Sequence, residues 1–211
     1  MTADELRASI LQWAIEGKLV PQLDNEPEVE QIGDAPEEVP FEIPNKWKWV
    51  QIRHVIEKHI GGGTPSKSEP NYWKGNIPWA TVKDLTSDLL SDTQDFISEL
   101  GLNNSATHII PTGSLIVCMR MAVGKIVINT IDVAINQDLR ALIPKTILNK
   151  NYFVNVYKAL DFKGSGTTVK GIKTKDLLDT FIPLPPLEEQ KRIVEKLNEL
   201  MKLQNSLQAQ Q

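Results

Sequence analysis

Two polar glycine loops carry the residue types that meet phosphates and base edges. The first runs Gly61-Gly62-Gly63-Thr64-Pro65-Ser66-Lys67-Ser68 and the second Gly164-Ser165-Gly166-Thr167-Thr168-Val169-Lys170-Gly171. Each sets a lysine and hydroxyls on a backbone that glycine lets approach a partner closely. The first invites comparison with the phosphate-binding pattern G-x-x-x-x-G-K-[ST]. Counted from Gly61, Lys67 and Ser68 are in place, but Ser66 replaces the second glycine, where the backbone must wrap a phosphate. No acidic strand end follows to hold magnesium, so the loop does not read as a nucleotide site. Other catalytic arrangements are missing. His54, His59 and His108 make no metal spacing with the single Cys118, and neither G-x-S-x-G nor H-E-x-x-H occurs. Glu69-Pro70-Asn71-Tyr72 is the nearest string to the Asn/Asp-Pro-Pro-Tyr motif of base-methylating enzymes, and it matches poorly. These residues point to a binding protein with no catalytic centre, no metal and no cofactor of its own.

Charge placement indicates the partner. The 211 residues carry a net charge of −4, which taken whole disfavours a polyanion. The distribution is uneven: residues 1–50 hold 11 acids and 4 bases, whereas Arg120–Lys175 holds 10 bases against Asp132, Asp138 and Asp161. A nucleic acid would feel that local surplus. The predicted contact set is Thr64, Ser66, Lys67, Thr167, Thr168 and Lys170 of the loops, with Arg120, Lys125, Asn136 and Gln137 of the strand connections. Lysines at loop tips mainly hold phosphates, while Arg120, Asn136 and Gln137 have the paired donors and acceptors that read base edges. Asn136 would serve equally well as a turn cap. Asp84, Asp88, Asp92, Asp95 and Glu99 follow one another without an intervening base, so their face is expected to point away from a polyanion. Tyr72, Trp73 and Trp79 read as core and turn residues ahead of a base-stacking platform.

The elements that position these groups follow from spacing. Thr2-Ala3-Asp4-Glu5 has the form of a capping box; Leu6, Ile10, Trp13 and Ala14 then share a helical face that Gly17 ends. Pro21 to Pro44 is rich in Pro, Glu, Asp and Asn and reads as a linker. Gly113–Cys118, Gly124–Ile128 and Asp132–Ile135 read as short buried strands of one sheet, with a helix through Leu148, Tyr152, Val156 and Leu160 packed on it. Cys118 reads as a buried small hydrophobe, which suits a reducing cytoplasm. No apolar run approaches the roughly 20 residues of a membrane span, and the N-terminus has no secretory pattern, so the expected location is cytoplasmic with no membrane partner.

Near the C-terminus, Pro183-Leu184-Pro185-Pro186 sets the start of a long helix. Ile193, Leu197, Leu200, Gln204 and Leu207 recur at the a/d spacing of a coiled-coil seam. Leu187 to Leu207 would span about 31 Å, close to the roughly 34 Å of one DNA turn. One reading lays this helix back on its own domain. The favoured reading is a strut that pairs with a second helix, Gln204 choosing the register, and so a homodimer.

Taken together and in order, several strings resemble one family. Gly62-Gly63-Thr64-Pro65-Ser66, Tyr72-Trp73, Ile77-Pro78-Trp79 and Lys83-Asp84-Leu85 are similar to the target-recognition domain of type I restriction-modification specificity subunits. So are Gly124-Lys125, Ile135-Asn136-Gln137, Gly166-Thr167-Thr168 and the run from Ile182 to Lys191, with Leu6 to Pro21 matching on the N-terminal side. The resemblance implies a non-catalytic reader of double-stranded DNA that docks modification (methyltransferase) subunits. Those partners would carry S-adenosylmethionine, and the resemblance implies that a restriction endonuclease subunit can join them. One recognition domain stands here where the family usually has two, which implies a half-length subunit that dimerises to read a two-part site, or a fragment of a longer one. The rival class is a coiled-coil protein that occupies or inhibits the modification subunits without reading DNA.

The expected fold is α+β: a globular target-recognition domain with a mixed β-sheet and packed helices, a short N-terminal helix and a long C-terminal coiled-coil helix. The expected segments are an N-terminal helix over 1–20, an acidic linker over 21–45, the recognition domain over 46–185 and the spacer or dimerisation helix over 186–211.

Overall fold

Thr2 opens the first helix by exchanging hydrogen bonds with Glu5. Its amide donates to Glu5 Oε2 (2.6 Å) and its hydroxyl accepts from the Glu5 amide (3.2 Å), the expected capping box. The computed structural model describes residues 2–160, 162 and 171–208. In chain order, α1 (Ala3–Ile15) is followed by β1 (Lys48–Gln51), the single turn α2 (Ile52–Val55), β2 (Ile56–Gly61) and β3 (Ile77–Ala80). Next come β4 (Leu89–Leu90), β5 (Asp95–Ile97), α3 (Glu99–Asn103), β6 (Ile109–Ile110), β7 (Leu115–Cys118) and β8 (Ile126–Asn129). The chain continues through β9 (Val133–Ile135), β10 (Leu139–Pro144), α4 (Lys150–Ala159), α5 (Thr174–Asp179), β11 (Phe181–Leu184) and α6 (Leu187–Gln208). The class is α+β, with a short N-terminal and a long C-terminal helix as expected.

The chain forms two units, both discontinuous in sequence. The first gathers Met1–Val55, Thr146–Leu160 and Leu178–Gln211, and the second Ile56–Lys145 and Asp161–Leu177. The stretch expected as one recognition domain is therefore divided between them.

In the first unit α1, α4 and α6 pack on one another, beside an antiparallel pair of β1 and β11. α1 buries Ile10, Leu11, Ala14 and Ile15, while Trp13 is 53% exposed. The predicted face was thus set one position too far round. Two i,i+4 pairs, Ile10–Ala14 and Leu11–Ile15, make the stripe that packs. Gly17 ends the helix at φ +71° and lies against Pro44, whose Cγ would be 2.3 Å from a Cβ there. The helix predicted through Tyr152 and Val156 exists as α4, but its neighbours are α1 and α6, and its Tyr152 hydroxyl donates to Pro183 O of β11 (2.8 Å).

The segment expected as a linker has no regular structure, yet it is tied down. Lys46 Nζ donates to the carbonyls of Leu23, Asp24 and Glu26 (2.6, 3.0 and 2.7 Å). Arg192 of α6 reaches Glu26 Oε2 (2.7 Å) and Pro21 O (3.0 Å). Charge-assisted bonds stand in for the apolar burial that this composition lacks. α6 starts at Leu187, where the prolines placed it. Its second and third residues after the start, Glu189 and Gln190, are fully buried.

The second unit holds two mixed sheets, in the orders β2-β10-β7-β8-β4 and β5-β3-β9-β6. β7 and β8 share a sheet, as the sequence suggested, and pair antiparallel, but β9 does not join them. It pairs with β3 and β6 in the other sheet. The buried Asn129 lies where the chain changes sheet, its amide donating to Pro111 O (2.9 Å) and Ile131 O (2.8 Å) at the bend after β8. Ala80, Ile110, Val133 and Ile135 from one sheet and Ile116, Cys118, Val127 and Ala141 from the other form a common core. Cys118 is completely buried there, and burial pushes its thiol up.

Glu189 makes the first unit sensitive to pH. Burial raises its carboxyl above the ordinary value, outweighing the bonds it accepts from Trp47 and Gln22. The unfolded chain releases this proton at lower pH than the folded one. Stability is therefore full below the ordinary carboxylate value and declines as pH rises through the raised one. Thermal melting followed across that window is expected to show this decline in the parent. Glu189→Gln, which cannot ionise, is expected to lose that part of the slope.

Candidate nucleic-acid interface

The first glycine loop lies wholly in the second unit, and its glycines answer to protein backbone. A Cβ at Gly62 would stand 2.0 Å from Asn136 O, and one at Gly63 would stand 2.7 Å from Thr107 N. Gly63 N donates to Ile135 O (2.9 Å) at the end of β9. Two indoles then pin the loop from below: Trp79 Nε1 donates to Gly63 O (3.0 Å) and Trp73 Nε1 to Ser66 O (3.1 Å). The two rings meet edge to face, 5.1 Å apart and at 86°. So the glycines let this loop seat against β9; they do not wrap a phosphate.

This seating brings distant parts of the chain to one cleft of about 660 Å³, lined by Thr64 and Lys67 from the loop and by Asn136, Gln137 and Asp138 from the turn after β9. The Thr64 hydroxyl donates to Gln137 Oε1 and joins the two segments. Asn136 N extends the β3–β9 pairing by donating to Ala80 O (2.9 Å). Its side chain accepts from Asp138 N (3.1 Å) and donates to Asp138 Oδ2 (3.3 Å). With 7% of its surface exposed, Asn136 has the turn-capping role that the sequence left open.

Four predicted contacts, Thr64, Lys67, Asn136 and Gln137, therefore share the cleft. Ser66 is exposed beside it, its hydroxyl 2.7 Å from that of Ser68. Arg120 borders it through Asp138, at 3.6 Å. Lys125 is not in the lining; its ammonium donates to Leu85 O (3.2 Å). Thr167, Thr168 and Lys170 lie outside the described residues. Of the seam on α6, Ile193 and Leu197 are buried within the first unit, Leu200 is half-buried, and Gln204 donates to Ala3 O (2.6 Å). The Leu207 side chain lies outside the described residues.

Sequence reasoning missed Trp73, Trp79, Thr81, Lys83, Asp95 and Asp138, all of which line the cleft. Trp79 was within reach. Ala80 faces the shared core, so the period of two along β3 turns Trp79 to the other side. Asp95 was not, because its place depends on strand pairing: it stands opposite Trp79 in the β3–β5 register. Contrary to the expected acidic face, Asp95 shares the cleft with Lys67 and pairs with Lys83 (2.8 Å), which raises the Lys83 ammonium. Asp84 has a structural task, its carboxylate accepting from the amides of Thr81 (2.7 Å) and Gln94 (3.0 Å). The cleft thus presents cations, carboxylates, hydroxyls and a carboxamide together. That mix of donors and acceptors suits the edges of bases, whereas phosphates alone would need only donors.

Comparison with known proteins agrees in family. Residues 44–211 match the type I restriction modification DNA specificity domain. The specificity subunit of the Escherichia coli type I restriction enzyme EcoR124I/EcoR124II is 33% identical over 166 residues, covering 72% of this chain and 40% of that protein. The MjaIX specificity subunit of Methanocaldococcus jannaschii is 31% identical over 166 residues, covering 74% of this chain and 38% of that protein. The HsdS subunit from Thermoanaerobacter tengcongensis has the same fold, with a TM-score of 0.70 at 22% identity over 99% of this chain and 46% of that one. The chain spans about 40% of the length of the curated relatives it matches.

The close approach at Gly62 is testable. Gly62→Ala is expected to push the loop off Asn136 and to lower stability by about 1–3 kcal/mol, the usual cost of forcing a methyl into a packed site. Denaturant unfolding measures this. A variant as stable as the parent would show that the loop is not seated on the β9 turn.

Proposed function

The chain belongs to the type I restriction-modification DNA specificity domain family, and from that premise we propose that it is a non-catalytic, sequence-specific reader of one half of a bipartite site in double-stranded DNA. The observation that carries this reading is the cleft, where Lys67, Gln137 and Thr64 converge from separate segments with carboxylates and hydroxyls between them. In this reading Lys67 holds a phosphate, and Gln137 reads a base edge through the amide hydrogens that its bond to Thr64 leaves for a partner. Modification subunits dock on the chain and bring S-adenosylmethionine and the methyl-transfer site, and an endonuclease subunit can join that complex.

Two copies together would read both halves of the site, as an inverted repeat read by a symmetric pair. The end of α6 supports this pairing, because Leu203 is 55% exposed there while the earlier seam positions Ile193 and Leu197 are spent inside the first unit. Sedimentation of the parent with and without duplex is expected to give a dimer. Leu203→Asp, at the exposed position, is expected to give a monomer whose circular dichroism matches the parent's. A parent that stays monomeric under both conditions rules out the paired reading.

DNA contact is tested by salt titration and a base-substitution panel on the same variants. Lys67→Ala is expected to weaken binding to all duplexes alike and to reduce the salt slope by about one unit. Gln137→Ala is expected to relax preference at one or two base positions, each by roughly 1–3 kcal/mol. If both variants bind like the parent at every salt concentration, the cleft does not face DNA.

A further inference from the structure

Met121 sits at the tip of the connection between β7 and β8 with φ +69°, the one positive value outside glycine among the described residues. L side chains rarely adopt that region, and glycine or asparagine would occupy it with less strain. No packing offsets the strain, because the Met121 side chain is 68% exposed. Nor does the backbone relax it, since the connection is braced on several sides. Ala122 N donates to Arg120 O (2.8 Å), Lys125 N to Ala122 O (3.1 Å) and the Cys118 thiol to Arg120 O (2.8 Å). Met119 is held at both its amide, by Asp138 O (2.8 Å), and its carbonyl, by Ile172 N (2.9 Å). A long apolar side chain is thereby presented to solvent on a strained, fixed tip. Strain kept in a braced segment marks a functional position.

The surroundings identify what the tip meets. Arg120, Lys125 and Lys173, all exposed, flank it in sequence or through the Met119–Ile172 bond. Arg120 is also 3.6 Å from Asp138, whose carboxylate lines the cleft. The tip thus adjoins a side chain that borders the cleft, and the flanking cations suit an occupant that offers anionic groups around an apolar interior. Duplex DNA does so, with phosphates outside and stacked bases within. Apolar side chains, Met among them, open base steps in this way, and the cost depends on the step.

We propose that residues 119–125 form a wedge whose Met121 side chain presses between the bases of one step, so that this step is selected by how readily it unstacks. The proposal rests on the DNA-reading function above and adds a specificity-determining residue outside the cleft.

The test uses the full chain and a duplex selected by the parent from a random pool, with 2-aminopurine placed at each position in turn. Binding of the parent, and of Met121→Leu, is expected to raise the fluorescence at one step. Met121→Gly and Met121→Asn, which both fit the backbone, are expected to remove that rise and to weaken binding about tenfold, with an unchanged salt slope. Their melting temperatures are expected to equal or exceed the parent's, which separates the loss from unfolding. If Met121→Gly binds like the parent, or the parent unstacks no step, the wedge is overturned while the DNA-reading function stands. If the parent selects no duplex, both fall. Capture of the parent by phosphatidylserine vesicles that is lost in Met121→Gly, with duplex binding unaffected, would make the tip a lipid contact and overturn the proposal.

Discussion

Two adjacent buried polar residues in the first turn of α6 hold the first unit together. The Gln190 carboxamide donates to Ile147 O (2.9 Å) and Pro185 O (2.9 Å) and accepts from Asn149 N (2.7 Å). Glu189 accepts from Trp47 Nε1 (3.0 Å) and from Gln22. Neither side chain has any exposed surface, so each bond stands in place of water, and a lost partner would leave a buried group unsatisfied. These contacts tie together the irregular segment at Gln22, Trp47 just before β1, the turn before α4 and the prolines that lead into α6. Asn149, whose amide Gln190 holds, in turn caps α4 through Tyr152 N (3.0 Å). The direction of α6 is thus set at its origin by a polar junction before any apolar seam acts on it.

The second unit depends on close backbone approach in place of a polar junction. Gly62 and Gly63 let a loop settle on β9, and two tryptophans hold it by carbonyl oxygens that glycine and serine leave accessible. The core between the sheets is made of aliphatic residues and Cys118, whereas the aromatic pair packs with Ile97 and Ala134 of the four-stranded sheet beside the cleft. Rigidity under the cleft therefore comes from residues that a reading of composition would assign to a core. This matters for recognition, since a base contact discriminates only if its donor is held within a few tenths of an ångström.

Signals confined to neighbouring residues were legible in the sequence. The Thr2–Glu5 box, the Gly17 stop, the Pro185-Pro186 entry to α6 and the buried Cys118 all lie within a few residues of what they determine. The placing of Lys67 beside Gln137 could be suspected from residue type alone, but their meeting is a long-range product of the glycine loop seating on the end of β9. Strand partnership was not legible. β9 is short and apolar like β7, and its place in the other sheet appears only in its pairing with β3 and β6. Similarly, the spacing through Tyr152 and Val156 announced a helix, but the sheet read as its neighbour gives way to α1 and α6. The seam on α6 shows the same limit, because a stripe of apolar residues is equally satisfied by its own unit or by a second chain.

The electrostatics of the cleft bear on selectivity. A surface that grips DNA through unpaired lysines binds every sequence nearly alike, since phosphates are the same everywhere. Here Lys83 is paired with Asp95, and Arg120 lies near Asp138. An exposed pair such as Lys83–Asp95 contributes little to stability, so a partner that replaces the carboxylate loses little. A partner that fails to replace it meets a carboxylate facing its own phosphates. Where the occupant is DNA, as proposed, nonspecific hold is reduced more than specific hold. In a DNA reader, such internal neutralisation shifts discrimination from charge to geometry, and geometry is what the seated loop and its tryptophans supply.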